Sequence, residues 1–454
     1  METNFELNKE FKNALKFLTL TTENVFVTGK AGTGKTTFLK YFVSEYCKPL
    51  KKNFVVLAPT GVAAVNAGGE TIHHFFKFKP DVTLDKIKEI NDIKSDKKSS
   101  IYKNLDLIII DEVSMLRADL LDCVEKFLRL NGPEPNAPFG GVQMLFVGDL
   151  MQLAPVVKKE EEEIFKTHYD TPYFLSAKCM QDTFCYIVEL EKVYRQKKAK
   201  FIAILNAIRD NKLSEPDLSR INNGCDRKFD KSQFPITLTT TNRLADFYNN
   251  KYLNMIHGVE YTFTAVTENI ENVNLSSFPA EYELKLKVGA RIMMLNNDSN
   301  KRWVNGTLGT VEEINLFPGT KDQYLIYVRL QNGKIEVVDQ FRWDISRYKW
   351  NSKKQTIETE KIGSFAQYPL RLAWAITIHK SQGKTFNNII IDLGYDGAFA
   401  PGQLYVALSR CTEIEGIALK SSVSMSDIIV DPRVAELYAQ RKKLNELLRR
   451  KMQR

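Results

Sequence analysis

Asn24-Val25-Phe26-Val27-Thr28-Gly29-Lys30-Ala31-Gly32-Thr33-Gly34-Lys35-Thr36-Thr37 decides the fold of this chain. A short β-branched run enters a glycine-rich turn, and the turn opens a helix. This is the spacing at which backbone N–H groups can surround phosphate oxygens. The helix N-terminus favours the negative charge, Lys35 reaches the β- and γ-phosphates, and the Thr36 hydroxyl is a ligand for Mg²⁺. By the same reading Gly29, Ala31, Gly32, Thr33, Gly34 and Thr37 belong to the nucleotide cradle.

Working outward, three more apolar runs, at 53–58, 105–110 and 143–147, alternate with helical stretches. Strands buried on both faces of a parallel sheet have this texture, so the N-terminal part reads as a doubly wound α/β domain. The third run ends in Asp111-Glu112, delivering two carboxylates where open α/β sheets place their ligands. Asp111 suits the Mg²⁺ shell and Glu112 the attacking water. Alone the pair also fits a capped turn, and only the partnership with Lys35 gives it chemical meaning. The fourth run leads into Gly148-Asp149-Leu150-Met151-Gln152, where a neutral, forked Gln152 can sense a γ-phosphate.

The remaining chain sets the organisation. Residues 80–103 alternate Lys, Asp and Ser and read as a surface excursion. A second α/β pattern begins near Thr183, with strands expected at 235–241, 388–393 and 416–419. Between them, 282–365 carries short alternating segments with a hairpin turn at Gln331-Asn332-Gly333. A basic helix is expected from Asp431, packed through Val434, Leu437, Leu444, Leu447 and Leu448, with Arg441, Lys442, Arg449, Arg450 and Lys451 solvated. The expected boundaries are 1–182, 183–284, 285–366, 367–430 and 431–454.

Composition agrees with a globular protein: 454 residues, 43% apolar and 26% charged, with a net charge of +9 that suits an anionic polymer in a groove. No stretch is a membrane span or a signal core. Cys47, Cys123, Cys179, Cys185, Cys225 and Cys411 form no CxxC pair and read as reduced core residues. The expected location is the cytoplasm, nucleoid-associated if the source is bacterial.

Taken in order, the motifs resemble the Pif-type (petite integration frequency) family of superfamily 1 helicases, in its 5′-to-3′ branch. The carriers are the loop at Lys35, Ala58-Pro59-Thr60-Gly61-Val62-Ala63-Ala64, Asp111-Glu112 followed by Ser114-Met115-Leu116-Arg117-Ala118-Asp119-Leu120-Leu121-Asp122, Pro138 to Gln152, Tyr194-Arg195-Gln196, Ala375 to Phe386, and Leu404 to Arg410. The resemblance implies two RecA-like P-loop NTPase motor domains, the second carrying an SH3-like β-barrel insert, with ATP and Mg²⁺ bound between them. It implies that Arg195 and Arg410 clamp the γ-phosphate and that Gly383 lies in the nucleotide site. Planar guanidinium forks suit charge spread over equatorial oxygens.

The same resemblance assigns DNA contacts to Pro59, Thr60, Gly61, Val62, Thr241, Asn242, His379, Lys380 and Ser381. In Thr71-Ile72-His73-His74-Phe75-Phe76-Lys77-Phe78-Lys79 aromatics interleave with bases. His73, His74 and Phe75 are therefore expected at DNA, although the three phenylalanines fit a core equally well. Expected partners are single-stranded DNA, forked or tailed duplexes and G-quadruplexes, with no membrane and a monomeric apo state. The chain departs from the family in lacking an N-terminal glutamine for adenine, leaving either Asn8 or Asn13 as reader or a loose base selectivity, and in having Ala154-Pro155 for two prolines. Without the extensions of larger relatives it reads as a minimal motor. Two rivals stand beside the helicase: an ATP-gated nucleic-acid clamp that does not unwind, and a small-molecule phosphotransferase.

Overall fold

The computed structural model describes residues 7–79, 81–89, 99–230, 233–269, 278, 280–320 and 323–452. They form two compact units. The first comprises Met1–Arg195, Arg347–Glu360 and Val430–Arg454, the second Gln196–Ser346 and Lys361–Ile429.

The first unit is built on a parallel six-stranded sheet of β1 (Asn24–Gly29), β2 (Phe54–Ala58), β3 (Glu70–Thr71), β4 (Leu107–Ile110), β5 (Gln143–Gly148) and β6 (Cys185–Leu190), ordered β3-β2-β4-β5-β1-β6. Every residue of β1, β4 and β5 is buried, as the unbroken apolar runs predict. The expected boundary near Thr183 lies inside this unit. Strand β6 pairs in parallel with β1 from Asn24↔Cys185 to Gly29↔Leu190, and the unit runs on to Arg195. An apolar β-branched run states that it is a buried strand without naming the sheet it joins.

Three further segments depart from expectation. The described part of the 80–103 excursion places Ile87, Ile101 and Tyr102 in the core, because its few apolar residues converge although none form a run. The final helix, Pro432–Met452, packs within the first unit through Val434, which is 1% exposed. Its Lys442 is exposed, as expected, and pairs with Glu189 at 2.9 Å, while the half-buried Arg441 donates to the Met180 carbonyl and departs from the solvated reading. The side chains of Leu444, Leu447, Leu448, Arg449, Arg450 and Lys451 lie outside the described ones. Residues Arg347–Glu360, expected in the β-rich insert, also belong to the first unit. Trp350 is buried there, the Tyr348 N–H donates to Glu70 Oε1 at 2.7 Å, and the Tyr348 hydroxyl accepts from the Val56 N–H at 3.1 Å.

The second unit holds strands β7 (Ile236–Thr239), β8 (Tyr261–Thr264), β9 (Val266–Glu268), β10 (Glu283–Leu286), β11 (Arg291–Met294), β12 (Leu308–Leu316), β13 (Tyr324–Leu330), β14 (Ile335–Val338), the parts of β15 (Phe341–Asn351) and β16 (Thr356–Gln367) outside Arg347–Glu360, β17 (Leu370–Leu372), β18 (Ala375–Thr377), β19 (Ile389–Asp392) and β20 (Ile417–Leu419). The strands β18-β7-β19-β20 make a parallel sheet, and β14-β13-β12-β11-β17 an antiparallel one over Ile292, Met294, Val311, Ile326, Val328 and Tyr368. The expected turn at Gln331-Asn332-Gly333 joins β13 to β14, with Gly333 at φ +84°. Strand β17 pairs with β11, so the α/β pattern resumes at Ala375 instead of Leu370. The cysteines are unpaired; Cys225 is exposed and Cys179 half-buried, so the core reading holds for the other four. Among the described residues no helix is long and apolar enough to cross a membrane.

Candidate functional site

The sheet order of the first unit carries the carboxyl ends of β1, β5 and β4 to one edge, where parallel sheets bind ligands. From β1 the chain turns through Gly34, at φ +87°, a conformation that disfavours any side chain. The helix Lys35–Phe42 starts there without a side-chain cap, leaving its first N–H groups to the loop. Lys35 Nζ donates to the carbonyls of Gly29 and Lys30 at 2.7 and 3.1 Å, curling its charge over the loop. Ala31 and Thr33 are buried, and the Thr33 hydroxyl donates to the Lys30 carbonyl at 2.9 Å. Thr36 and Thr37 are exposed on the first turn of the helix.

Asp111 directly follows β4 and is 8% exposed. Its Oδ1 accepts from the Glu112 N–H at 2.9 Å. Burial, and next the charge of Glu112, push the Asp111 carboxyl well above the ordinary carboxylate range; the Glu112 N–H and Lys35 pull the other way. Glu112 lies at φ +50°, a left-handed conformation that side chains avoid and that concentrates at functional sites. The turn after it packs on β5: a Cβ at Gly148 would lie 2.9 Å from the Val113 nitrogen. The third element is thereby held beside the second. Gln152, 5% exposed, has its Nε2 3.5 Å from Asp149 Oδ2.

Lys35, Thr36, Asp111, Glu112 and Gln152 therefore share the first unit, whose first segment ends at half-buried Arg195. Arg410 and Gly383 belong to the second. Gly383 is exposed at φ +77°. Arg410 is 2% exposed, and its guanidinium donates to the Val406 carbonyl at 3.0 Å and the Ser409 hydroxyl at 2.8 Å. Of the two asparagines read as base contacts, Asn8 caps the helix Lys9–Leu20, accepting from the Phe11 N–H at 2.8 Å; Asn13 is half-buried on that helix.

The proposed DNA contacts repeat one device in both units. Thr60 follows β2 and caps the helix Gly61–Ala67; Thr241 follows β7 and caps the helix Asn242–Met255. In each the threonine oxygen accepts a backbone N–H, and the neighbouring Pro59, Gly61, Val62 and Asn242 are at least partly exposed. On the helix Ile72–Phe76, burial and then Arg117 hold the half-buried His73 below the ordinary imidazole range. His74 is exposed and bonded to Glu70 at 2.6 Å, which raises it. After β18, burial lowers His379 and Lys380, the latter with help from Arg371.

Two assignments are corrected. Phe75 is 5% exposed and packs edge-on against Phe76, Tyr102 and Tyr348 at 4.9, 5.5 and 5.9 Å, so the core reading of this aromatic stretch is the right one for Phe75. Ser381 is fully buried, with its hydroxyl donating to the Ile378 carbonyl at 2.7 Å. Phe75→Ala is expected to cost about 3–5 kcal/mol of stability and to leave single-strand affinity unchanged. Urea unfolding and fluorescence anisotropy measure the two, and lost affinity at intact stability would return the ring to the DNA face. Lys384 was missed as a separate candidate. Burial, and next Arg371, push its ammonium down to about 8, and it donates to Asn305 Oδ1. A lysine in a quoted motif carries no sign of that burial in one dimension.

Comparison with known proteins agrees. The PIF1-like helicase model matches residues 6–219 and the Pif1 helicase 2B-domain model residues 268–314. ATP-dependent DNA helicase Pif1 of Bdellovibrio bacteriovorus is 32% identical, over 96% of this chain and 92% of its own. Against vertebrate relatives named PIF1 in human, zebrafish and mouse, the chain spans 61 to 62% of their length. The crystal structure of Bacteroides sp Pif1 in complex with ADP-AlF4 is 38% identical, covers 97% of this chain and 98% of its own, and superposes with a TM-score of 0.84. Bacteroides Pif1 bound to ssDNA matches 96% of this chain and 97% of its own at 38% identity, with a TM-score of 0.68.

Proposed function

From the premise that this chain belongs to the PIF1-like helicase family and is an ATP-dependent DNA helicase, we propose that it moves 5′-to-3′ along single-stranded DNA. It thereby opens forked or tailed duplexes, with G-quadruplexes as a further substrate. The observation that carries the hydrolytic half is the convergence of Lys35, Asp111, Glu112 and Gln152 at the carboxyl edge of one sheet. Lys35 neutralises the β- and γ-phosphates, Glu112 accepts a proton from the attacking water, and Gln152 reports the γ-phosphate. Arg195 and Arg410 supply cationic forks to the leaving phosphoryl group.

The donor set fits Mg²⁺. Asp111 is a buried carboxylate whose charge a cation would offset, and the Thr36 hydroxyl stands on the first turn of the helix Lys35–Phe42. When bound there, Mg²⁺ would supply charge neutralisation to the triphosphate.

For DNA, the two threonine-capped helix starts and the turn at His379 and Lys380 offer N–H groups and positive charge to phosphates, which suits sequence-independent binding. The test is unwinding of matched duplexes carrying a 5′ or a 3′ single-stranded tail, with hydrolysis followed in parallel. Stimulated hydrolysis with unwinding from the 5′ tail alone is expected. Unwinding from the 3′ tail reverses the direction, stimulation without unwinding leaves a translocase or clamp, and hydrolysis indifferent to DNA overturns the DNA half of the reading.

A further inference from the structure

We propose that Gln196 is a positioning residue for Arg410, acting by holding the two peptide carbonyls on either side of it. The inference rests on the reading of Arg410 as a γ-phosphate arginine. Gln196 and Arg410 lie in the same unit and are each 2% exposed. The Gln196 Nε2 amide donates to the Ser409 carbonyl at 3.1 Å and to the Cys411 carbonyl at 3.1 Å. The carbonyl of Arg410 itself accepts from the Phe386 N–H at 2.9 Å. Three consecutive carbonyls are thus fixed, two of them by one side chain.

The physical reason for a glutamine is specific. The helix Gln403–Ser409 ends at Arg410, and the last carbonyls of a helix lack partners along the chain. A primary amide presents two N–H donors in a rigid fork, the number needed for two carbonyls two residues apart at the helix end. Methionine has the same length and no donor. Asparagine has the donors and is one methylene short. The arrangement has a cost that a purely structural cap would avoid: among the described residues, Gln196 Oε1 is buried with no hydrogen-bond partner. The amide is oriented for its donors at the expense of its acceptor.

The consequence is mechanical. An arginine side chain is long and rotamer-rich, so the precision of its guanidinium depends on the backbone from which it starts. From that backbone the Arg410 guanidinium reaches the Val406 carbonyl, the Ser409 hydroxyl and, at 3.5 Å, the Ser381 carbonyl. Misplacing a charge-stabilising group by about 1 Å costs about a hundredfold in rate. Gln196 opposes that displacement by holding the backbone on either side of Arg410.

The test is a double-mutant cycle of Gln196→Met and Arg410→Ala in the full chain, read as kcat and KM for DNA-stimulated ATP hydrolysis well below the unfolding temperature. Gln196→Met is expected to lower kcat by about 10- to 100-fold with KM for ATP unchanged. Combined with Arg410→Ala it should add less than about twofold. A wild-type kcat in Gln196→Met beside a slow Arg410→Ala removes the inference and leaves the reading of Arg410 standing. An equal loss in both backgrounds also removes it, because the glutamine then acts elsewhere. Wild-type hydrolysis by Arg410→Ala removes the reading and the inference together. If the methionine variant does not fold, Gln196→Asn decides the same cycle, since its amide cannot span both carbonyls.

Discussion

Lys35→Ala is expected to lower ATP hydrolysis by about 10²- to 10³-fold or more and to abolish unwinding, while single-strand affinity stays close to that of the unaltered protein. Lys35 is the first residue of the helix after the loop, and its ammonium lies against the Gly29 and Lys30 carbonyls. A compact charge on a flexible stem can follow the γ-phosphate as charge develops there, and alanine has nothing to replace it. Alanine is also an excellent residue for the first turn of a helix, so the fold is unaffected. The proposed DNA contacts of this unit, around Thr60 and His74, lie on other helices. Steady-state hydrolysis and anisotropy on a labelled oligonucleotide measure the two effects. Vigorous unwinding by the variant would mean that the loop is not the motor's nucleotide site.

Arg410→Ala is expected to slow hydrolysis by about a thousandfold or more, with nucleotide binding much less affected. Arg410→Lys should recover little, because a point charge does not reproduce a planar fork. The arginine is buried and hydrogen-bonded, so its removal also weakens the unit that holds it. Rates are therefore compared at a temperature where urea unfolding shows both variants folded. Nucleotide affinity from a fluorescent ATP analogue separates lost chemistry from lost binding. A drop of only a few fold, in folded protein, would assign the second cationic fork to another residue.

The sequence and the structure divide the explanation by range. Short-range statements were legible. The run 24–28, the glycine turn and Lys35 specify strand, loop and helix through local conformational preference, and β4 with Asp111 and β5 with Gly148 follow from the same unbroken apolar pattern. Phe75 was ambiguous because aromatics interleaved with bases suit a DNA surface and a core alike. Only its neighbours Phe76, Tyr102 and Tyr348, the last 273 residues away in the chain, settle which one it joins.

By itself, then, the sequence determined the α/β class, the glycine turn before Lys35 and the carboxylates after β4, the β-rich insertion and the family, since each is written in residue types at fixed local spacing. Tertiary structure alone decided that β6 completes the first sheet, that Arg347–Glu360 and the last helix join the first unit, and that β17 extends the insert's sheet. It also decided that Ser381 is sealed and that Gln196 grips the carbonyls around Arg410. The reason is physical: a strand or a polar side chain carries its hydrogen-bonding capacity in its own residues, but which partner satisfies that capacity depends on what the rest of the chain brings beside it.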